Sequence, residues 1–242
     1  MRISEIKISF KSISHAFILL GQTRIEPCFQ NPVETYELNV SSILRLITDL
    51  FSLKIKPVFI SSEYIFDGEK GTYQETDLIN PKTKYGQQKA EVEEFLNNSS
   101  QDFLILRSPK VLGTKPGDGT LLTGWIDPIL KNQKIQCADD QWFSATHVDD
   151  MVEGFILSVQ KNLSGIYHLC APHSLSRVDM AKALGESLGL KPHIEQCHIN
   201  DIGLSEPRPH NISMNPKKFI NATGHKFKTI QQCCEELAYE LK

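Results

Sequence analysis

The sequence predicts an α/β fold with a doubly wound parallel sheet, because short apolar runs alternate with longer segments of helical periodicity. Three of these runs are too short for core helices and fit buried strands: AFILLG at residues 16–21, PVFISS at 57–62 and DFLILRS at 102–108. A helical segment lies between each run and the next. Strand, helix, strand, helix, strand is the pattern of parallel strands joined by right-handed crossovers.

The spacing of apolar residues indicates where the connecting helices lie. Val40, Ile43, Leu44 and Ile47 recur at intervals of three and four residues, so one amphipathic helix is predicted over residues 32–51. It would begin near Pro32, because proline fits the first turn of a helix. The segment YGQQKAEVEEFL predicts the next helix over residues 85–96.

The chain changes character after Ser108. The Gly/Pro-rich segment GTKPGDGT at residues 113–120 predicts a loop, and we place a boundary there between a first domain at 1–112 and a smaller α/β lobe at 113–242. The chain is expected to return to the first domain around residues 140–172. Within the second half the patterns predict helices at 147–160, 176–189 and 229–241, and strands at 165–171 and 194–199. Ser176 is the predicted N-cap of its helix, and Gly189 is expected near the end of that helix.

Composition excludes several classes of function. The 242 residues carry a formal charge of −3 and are 40% hydrophobic, as in ordinary soluble globular proteins. No basic excess indicates binding to nucleic acid, and no apolar run approaches the roughly 20 residues that span a bilayer. The start, MRISEIKISF, lacks the apolar segment of a signal peptide. These features predict a cytoplasmic protein.

The six cysteines follow neither a disulfide framework nor a metal-binding pattern. None forms a Cys-x-x-Cys pair, and most lie inside apolar runs such as IYHLCA, where cysteine packs as a small hydrophobic residue. Reduced thiols are therefore predicted. No metal site is expected, since adjacent residues such as Cys233 and Cys234 rarely point at one ion.

Four polar side chains are predicted to meet at one edge of the sheet. Ser61 and Ser62 stand at the carboxyl end of the second strand, where open α/β sheets bind their ligands. Tyr85 and Lys89 lie one turn apart on the next helix, whose start faces the same edge. A hydroxyl, a phenol and an ammonium in one crevice indicate an active site. From the residues alone, turn capping by the serines and an ordinary charged helix start remain alternatives.

Several ordered motifs resemble one family. The block FISSEYIFDGEKGTYQETDLINPKTKYGQQKAEVEEF is similar to the central part of the extended short-chain dehydrogenase/reductases, and within them to the dTDP-4-dehydrorhamnose reductase group. The segments CFQNPVETYELNV, DDQWFSATHVDDMVEGF and EPRPHNISMNPKKF resemble flanking elements of that group. The resemblance runs from about residue 15 to the C-terminus and implies a Rossmann-like first domain. Position 63 carries Glu where the family pattern has Asp, so an acidic group is kept on a longer side chain.

The resemblance implies roles for the four residues. Tyr85 would be the general acid that protonates a ketone oxygen while the nicotinamide of NADPH or NADH delivers hydride to the carbon. Lys89 would stabilise the phenolate, because a free phenol has a pKa of about 10, and would bind the cofactor ribose. Ser62 would bind the carbonyl oxygen of the substrate. Ser61 would contact the cofactor.

The resemblance also implies contacts further along the chain. Gly21 and Thr23 would contact the cofactor, although the segment around them reads LLGQT where relatives carry Asn-Ala-Ala. Arg208 would hold the diphosphate of a nucleotide-sugar, because guanidinium offers a planar fork to phosphate oxygens. A surface arginine between two prolines is the alternative for Arg208. Trp142 and His147 flank a segment that resembles a substrate-side loop, and packing is the expected role of both.

One family feature is absent. No Gly-x-x-Gly-x-x-Gly turn occurs in the sequence, although this turn normally brings a helix N-terminus to the cofactor pyrophosphate. Compared with the family, two strand–helix units are expected to be missing ahead of residue 16, so the doubly wound sheet would be incomplete. The strand at 16–21 would then be an apolar edge, exposed to aggregation or to pairing with a second copy or a partner chain.

Two functions follow as hypotheses. The first is an NAD(P)-dependent reductase of a 4-keto-6-deoxy nucleotide-sugar, with dTDP-4-dehydro-L-rhamnose as the nearest substrate. The chain would then be an active enzyme or an inactive fragment, since the lost cofactor surface would leave nicotinamide poorly held. The second is a non-catalytic regulatory or binding protein on the same fold, resembling the regulatory subunit of methionine adenosyltransferase.

Overall fold

A four-stranded parallel sheet forms the centre of the protein, as seen in a computed structural model that describes residues 12–115 and 117–241. The strands in chain order are β1 His15–Ile18, β2 Lys56–Ser62, β3 Leu104–Ser108, β4 Val111–Leu112, β5 Lys134–Ala138, β6 Trp142–Phe143, β7 Thr146–His147, β8 Gly165–His168, β9 Leu175–Ser176 and β10 His193–Cys197. The central sheet has the order β1-β2-β3-β8, with every neighbouring pair parallel. The predicted α/β class and parallel sheet are therefore confirmed.

Helices cover the sheet and build the second half of the chain. They are α1 Ile25–Gln30, α2 Pro32–Tyr36, α3 Ser42–Ser52, α4 Lys84–Asn97, α5 Thr123–Leu130, α6 Val148–Gln160, α7 Arg177–Ser187, α8 Lys217–Thr223 and α9 Ile230–Tyr239. Short 3₁₀ turns at Glu63–Ile65 and Ile199–Ile202 follow β2 and β10.

The sheet is buried on both faces because its strands are apolar at consecutive positions. On one face, Phe59 and Ile105 pack with Ile43 and Ile47 of α3 and Val92 of α4. On the other face, Val58, Leu104 and Leu106 pack with Met151 of α6 and Phe219 of α8. Successive side chains of a strand point to opposite faces, so an apolar run such as LIL in β3 supplies both layers. This is the sandwich of a doubly wound fold.

The second half of the chain forms a separate core beside the sheet. The two parallel strands β5 and β10 pair there, and Ile135 of β5 packs with Trp125 of α5, Leu184 of α7 and Leu237 of α9. One strand of this half, β8, instead joins the central sheet next to β3. The proposed domain boundary at residue 112 stays a prediction.

Four strand predictions were too long: those at 102–108 and 194–199 by two residues at one end, and those at 16–21 and 165–171 by three. The strand predicted at 16–21 spans His15–Ile18, and Leu19 and Leu20 beyond it are 63% and 61% exposed. The chain leaves the sheet there because Gly21 turns it with a φ of +135°, a conformation that favours glycine. The strand predicted at 165–171 ends at His168.

The helix predicted over 32–51 is not continuous. It consists of α2, a π-helical turn at Glu37–Ser41 and α3, and the additional helix α1 precedes it. The π turn accommodates the buried side chain of Asn39, which bonds to both main-chain groups of Gln22. Sequence periodicity does not register such an insertion, because the apolar spacing of α3 itself is regular.

Other predictions are confirmed. Ser176 caps α7 in a reciprocal capping box with Asp179, and the final helix lies within its predicted bounds. All six cysteines are free thiols. In the described residues no helix has the length and apolarity needed to cross a membrane. The prediction about a signal peptide falls on residues 1–10, which lie outside the described residues.

Candidate active site

A cleft of about 870 Å³ lies at the carboxyl ends of β1, β2 and β3. This volume is near the upper end for small-molecule sites. Its walls include six of the seven residues predicted for the site: Thr23, Ser61, Ser62, Tyr85, Lys89 and, from the far end of the chain, Arg208. Of the predicted residues, Gly21 is not part of this lining.

Tyr85 is placed by a tight start to α4. Thr83 caps this helix, accepting the N–H of Gly86 at 3.1 Å, and Glu206 accepts the N–H of Lys84 at 2.9 Å. A Cβ on Gly86 would lie 2.1 Å from the carbonyl oxygen of Tyr64. The glycine after Tyr85 therefore lets the start of α4 pack closely against the 3₁₀ turn that follows β2, which brings the phenol into the cleft.

The phenol of Tyr85 holds its proton firmly. Tyr85 is only 7% exposed, and its ring meets that of Tyr64 edge-on at 6.2 Å between centroids. Burial raises the pKa of Tyr85 to about 12, while the side chain of Ser62 acts in the opposite direction. At neutral pH the group is therefore a proton donor and not a base.

The ammonium of Lys89 bonds to the main chain rather than to the phenol of Tyr85. It donates to the carbonyl oxygen of Ile60 at 2.8 Å and lies over the ring of Phe59, 4.7 Å from the centroid. The distance to the centroid of the Tyr85 ring is 5.9 Å. Burial lowers the pKa of Lys89 to about 8, because removing an ammonium from water disfavours its charged form.

The two serines at the end of β2 differ. The hydroxyl of Ser62 accepts the N–H of Tyr64 at 3.3 Å and so caps the 3₁₀ turn after β2. The same side chain also interacts with the phenol of Tyr85. The hydroxyl of Ser61 is buried and has no hydrogen-bond partner among the described residues. A buried polar atom without a partner at the wall of a cleft is unusual and is consistent with a ligand contact.

The loop between β1 and α1 forms another wall. Thr23 lines the cleft, whereas Gly21 packs against Asn39, whose Oδ1 would lie 2.7 Å from a Cβ at position 21. Asn39 also accepts the N–H of Gln22 at 2.7 Å. Gly21 therefore shapes the loop, whereas Thr23 lines the cleft together with Leu19, Leu20 and Arg24 of the same loop.

Arg208 is buried at the cleft but already paired. Its Nη2 donates to Oε1 of Glu26 at 2.8 Å, and its Nη1 donates to the carbonyl oxygen of Glu206 at 3.0 Å. Glu26 also accepts hydrogen bonds from Ser205, and chiefly these keep the pKa of its carboxyl below the usual range. The arginine thus fastens the C-terminal half of the chain to α1.

Five charged residues of the cleft were not predicted: Arg24, Glu26, Glu63, Lys110 and Arg177. Oε1 of Glu63 accepts the N–H of Lys110 at 3.0 Å, and Oε2 has no partner among the described residues. Burial raises the pKa of Glu63 and lowers that of Lys110. Lys110 lies two residues after the end of β3. Because ligands bind at the carboxyl ends of parallel strands, the argument that predicted Ser61 and Ser62 could have predicted Lys110 as well. Arg177 had no such signal.

Trp142 and His147 lie outside the cleft. Trp142 pairs with Ser176 in the short sheet of β6 and β9. His147 is 1% exposed and caps α6 by accepting the N–H of Asp149 at 3.2 Å. Packing and capping account for both residues.

Two groups of described side chains have the spacing of metal ligands: Asp139, Asp140 and His198, and His147, Asp149 and Glu236. In the second group the ammonium of Lys228 already lies 3.2 Å from Asp149 and 2.6 Å from Glu236. In the first group His198 is exposed, with 72% of its side chain accessible. Neither group faces the cleft.

Comparison with known proteins gives matches along most of the chain. The RmlD substrate binding domain family matches residues 20–242. The spore coat polysaccharide biosynthesis protein SpsK of Bacillus subtilis is 30% identical over 77% of this chain and 65% of its own length. A dTDP-4-dehydrorhamnose reductase of Aggregatibacter actinomycetemcomitans is 29% identical over 78% and 68%. Methionine adenosyltransferase 2 subunit beta of Bos taurus is 25% identical over 74% and 56%.

Solved structures share the fold. A dTDP-4-dehydrorhamnose reductase from Clostridium acetobutylicum superposes with a TM-score of 0.85 at 20% identity, covering 96% of this chain and 82% of that one. A dTDP-4-dehydrorhamnose reductase from Bacillus anthracis, solved in complex with NADP, gives 0.84 at 19% identity, covering 93% and 80%. The chain spans between 56% and 68% of the length of the three curated relatives named above.

Proposed function

Because the chain belongs to the RmlD substrate binding domain family, we propose that it is an NAD(P)-dependent reductase of a 4-keto-6-deoxy nucleotide-sugar. A substrate like dTDP-4-dehydro-L-rhamnose is the nearest candidate, and this identity draws on the named reductase relative. The observation that carries the proposal is the convergence of Ser62, Tyr85 and Lys89 in one cleft at the carboxyl end of the sheet.

Tyr85 is in the protonation state that reduction requires. As hydride reaches the carbonyl carbon, negative charge develops on the oxygen, and the phenol proton moves to that oxygen. The pKa of about 12 keeps the proton on Tyr85 until this charge appears. Ser62, beside Tyr85, is placed to donate its hydroxyl hydrogen to the same oxygen and so to orient the ketone.

The chain fits the nicotinamide end of a dinucleotide better than the pyrophosphate end. The unpartnered hydroxyl of Ser61 and the ammonium of Lys89 suit the amide and ribose hydroxyls of that end. The bound dinucleotide supplies the hydride. For the pyrophosphate, neither the sequence nor the described structure offers a glycine-rich turn before a long helix, since α1 has six residues and no side-chain cap.

Cofactor binding and Tyr85→Phe test the proposal together. We expect the full chain to quench or shift NADPH or NADH fluorescence, and Tyr85→Phe to lower turnover by about 10²- to 10⁴-fold while binding persists, because only the proton donor is lost. Tyr167→Phe, which removes a phenol from β8 outside the cleft, is the matched control. Reductase activity that survives Tyr85→Phe would contradict the proposed role.

A regulatory role is the second candidate. One relative is a methionine adenosyltransferase subunit, and the chain lacks the glycine-rich turn. For this role we expect co-purification with a larger enzyme whose activity is unchanged by Tyr85→Phe. A loss of turnover in that variant would exclude it.

Two further properties complete the proposal. We place the protein in the cytoplasm, because its six free cysteines suit a reducing compartment. We also assign the edge of β1 that has no strand neighbour among residues 12–115 and 117–241, with Leu19 and Leu20 just beyond it, to pairing with a second copy or a partner chain.

A further inference from the structure

Lys110 presents a positive charge to the cleft, and the carboxyl that acts on its pKa, Glu63, forms no ion pair with its ammonium. Its ammonium lies 5.8 Å from the centroid of the Phe143 ring. Among the described residues it has neither a hydrogen-bond acceptor nor an ion-pair partner. A lysine held over a ring in this way keeps its apolar stem packed while its charged end stays available.

Arg177 approaches the same ring from another element. Its guanidinium carbon is 5.8 Å from the centroid of Phe143, and its Nε donates to Oε1 of Gln141 at 3.0 Å. Within the described part of the chain its two Nη groups have no acceptor. Arg177 is the first residue of α7 and follows the capping residue Ser176 directly, so its backbone is firmly placed.

The two cations repel each other. After burial itself, the positive charge of Arg177 contributes to the lowered pKa of Lys110, while Glu63 acts in the opposite direction. Glu63 compensates them only in part: its Oε1 is occupied by the main-chain N–H of Lys110, and burial raises the pKa of its carboxyl. Arg208 differs from both, because Glu26 already neutralises it at 2.8 Å. Arg24 also lines the cleft but is exposed to solvent, so among the buried and partly buried cations of the cleft it is Lys110 and Arg177 that have neither a carboxylate nor a main-chain carbonyl partner in the described residues.

A small side cavity is lined by both cations. It measures about 310 Å³, and its wall includes Lys110, Arg177 and the loop at Gly119–Leu121. The same residues also line the main cleft, so the cavity is a branch of the cleft. Gly119 has a φ of +78° and open space around its Cβ position, which leaves room for a ligand beside the loop backbone.

We propose that Lys110 and Arg177 form a phosphate-binding subsite that holds the diphosphate of the nucleotide-sugar in this branch of the cleft. Two cations without acceptors, fixed on opposite elements around one ring, match a dianionic group with oxygens on several sides. The ligand also removes their mutual repulsion. The subsite lies in the same cleft as Tyr85, so its assignment to the sugar substrate rests on the proposed function.

Calorimetric titration of the full chain with inorganic pyrophosphate, dTDP and thymidine tests the subsite without any cofactor. We expect pyrophosphate and dTDP to bind and thymidine to bind much more weakly. Lys110→Met and Arg177→Gln should each weaken dTDP binding by about 10- to 100-fold, the usual value of a hydrogen bond to a charged group. Affinity should fall with added salt, and less steeply in the variants.

Lys218→Met is the matched control, because Lys218 also lies over an aromatic ring, 4.3 Å from the centroid of Tyr167, but outside the cleft. It should leave dTDP affinity unchanged. Lys110→Arg and Arg177→Lys keep the charges and should retain most of the affinity, which separates loss of charge from loss of folding. Equal affinity in wild type, Lys110→Met and Arg177→Gln would overturn the subsite, as would binding of thymidine as tight as that of dTDP.

The measurement of dTDP binding does not depend on whether the chain is catalytically active. Binding of dTDP that depends on Lys110 and Arg177 supports the subsite even in a chain that reduces no sugar, in which case the proposed reductase activity fails alone. A different result would assign the two cations to the cofactor. If NADPH competes with dTDP, and if both substitutions lower the affinity for NADPH, then the subsite is not a place for the sugar nucleotide and the proposal is overturned.

Discussion

At the scale of single residues, the buried ammonium of Lys89 weakens the fold it belongs to. Its pKa falls from 10.5 to about 8 on burial, which corresponds to roughly 3 kcal/mol of unfavourable free energy in the charged folded state. The cost is present in full below pH 8, where the lysine is charged in both folded and unfolded chains. It disappears as the pH rises towards 10.5, because the unfolded chain then also loses its proton.

Lys89→Met should therefore stabilise the protein while removing a proposed catalytic group. We expect the free energy of unfolding at pH 7 to rise by about 1–3 kcal/mol, and the gain to shrink between pH 8 and 10.5. Urea unfolding at pH 7 and pH 9.5 measures both effects.

Lys56 provides the contrast. It is as buried as Lys89, but its ammonium pairs with Asp102 at 2.7 Å and bonds to Asn162 and Ser164. Lys56→Met should destabilise the protein by about 1–2 kcal/mol, since these bonds are lost. If Lys89→Met costs as much stability as Lys56→Met, then Lys89 is held by interactions that outweigh its burial.

At the scale of elements, the π turn between α2 and α3 ties three parts of the chain together. Asn39, 2% exposed, accepts the N–H of Gln22 at 2.7 Å and donates both to its carbonyl oxygen and to Oε1 of Gln88 in α4. The turn thus supports the loop that carries Thr23 to the cleft. π turns of this kind are frequent near functional sites.

Asn39→Ala should loosen that loop. The main-chain groups of Gln22 lose their partner, so we expect the unfolding free energy to fall by about 1–3 kcal/mol and the amide hydrogen of Gln22 to exchange faster. Hydrogen exchange followed by mass spectrometry or NMR measures this. Asn98→Ala, an exposed asparagine at the end of α4, is the control. Unchanged exchange at Gln22 in Asn39→Ala would show that the loop is held by other contacts.

The sequence predicted those parts of the site that depend on local pattern. Ser61 and Ser62 follow from the rule about strand ends, and Tyr85 and Lys89 follow from helical spacing. The role of Asn39 depends on partners 17 and 49 residues away, and Arg177 meets Gln141 over 36 residues. Such contacts are created only when elements pack, so local periodicity contains no signal for them.

At the scale of the whole molecule, the open edge of the sheet and the cleft are adjacent. In the described residues β1 has β2 as its only strand neighbour, so one row of its main-chain groups is unpaired. Ile18, Leu19 and Leu20 continue from this edge into the wall of the cleft. A chain that pairs along β1 would therefore cover apolar surface and extend one wall of the cleft in a single step.

Leu20→Lys tests whether this edge associates in solution. We expect the wild-type chain to form dimers or larger species at micromolar concentrations, and Leu20→Lys to shift it towards monomer, because a charged side chain beside an open edge opposes pairing. Sedimentation velocity over a concentration series measures the distribution. Leu78→Lys is the matched control, since Leu78 is more exposed, at 83% against 61%, but lies away from β1. If both variants reduce association equally, general surface hydrophobicity is responsible; a wild-type chain that stays monomeric shows that the apolar edge does not pair with itself.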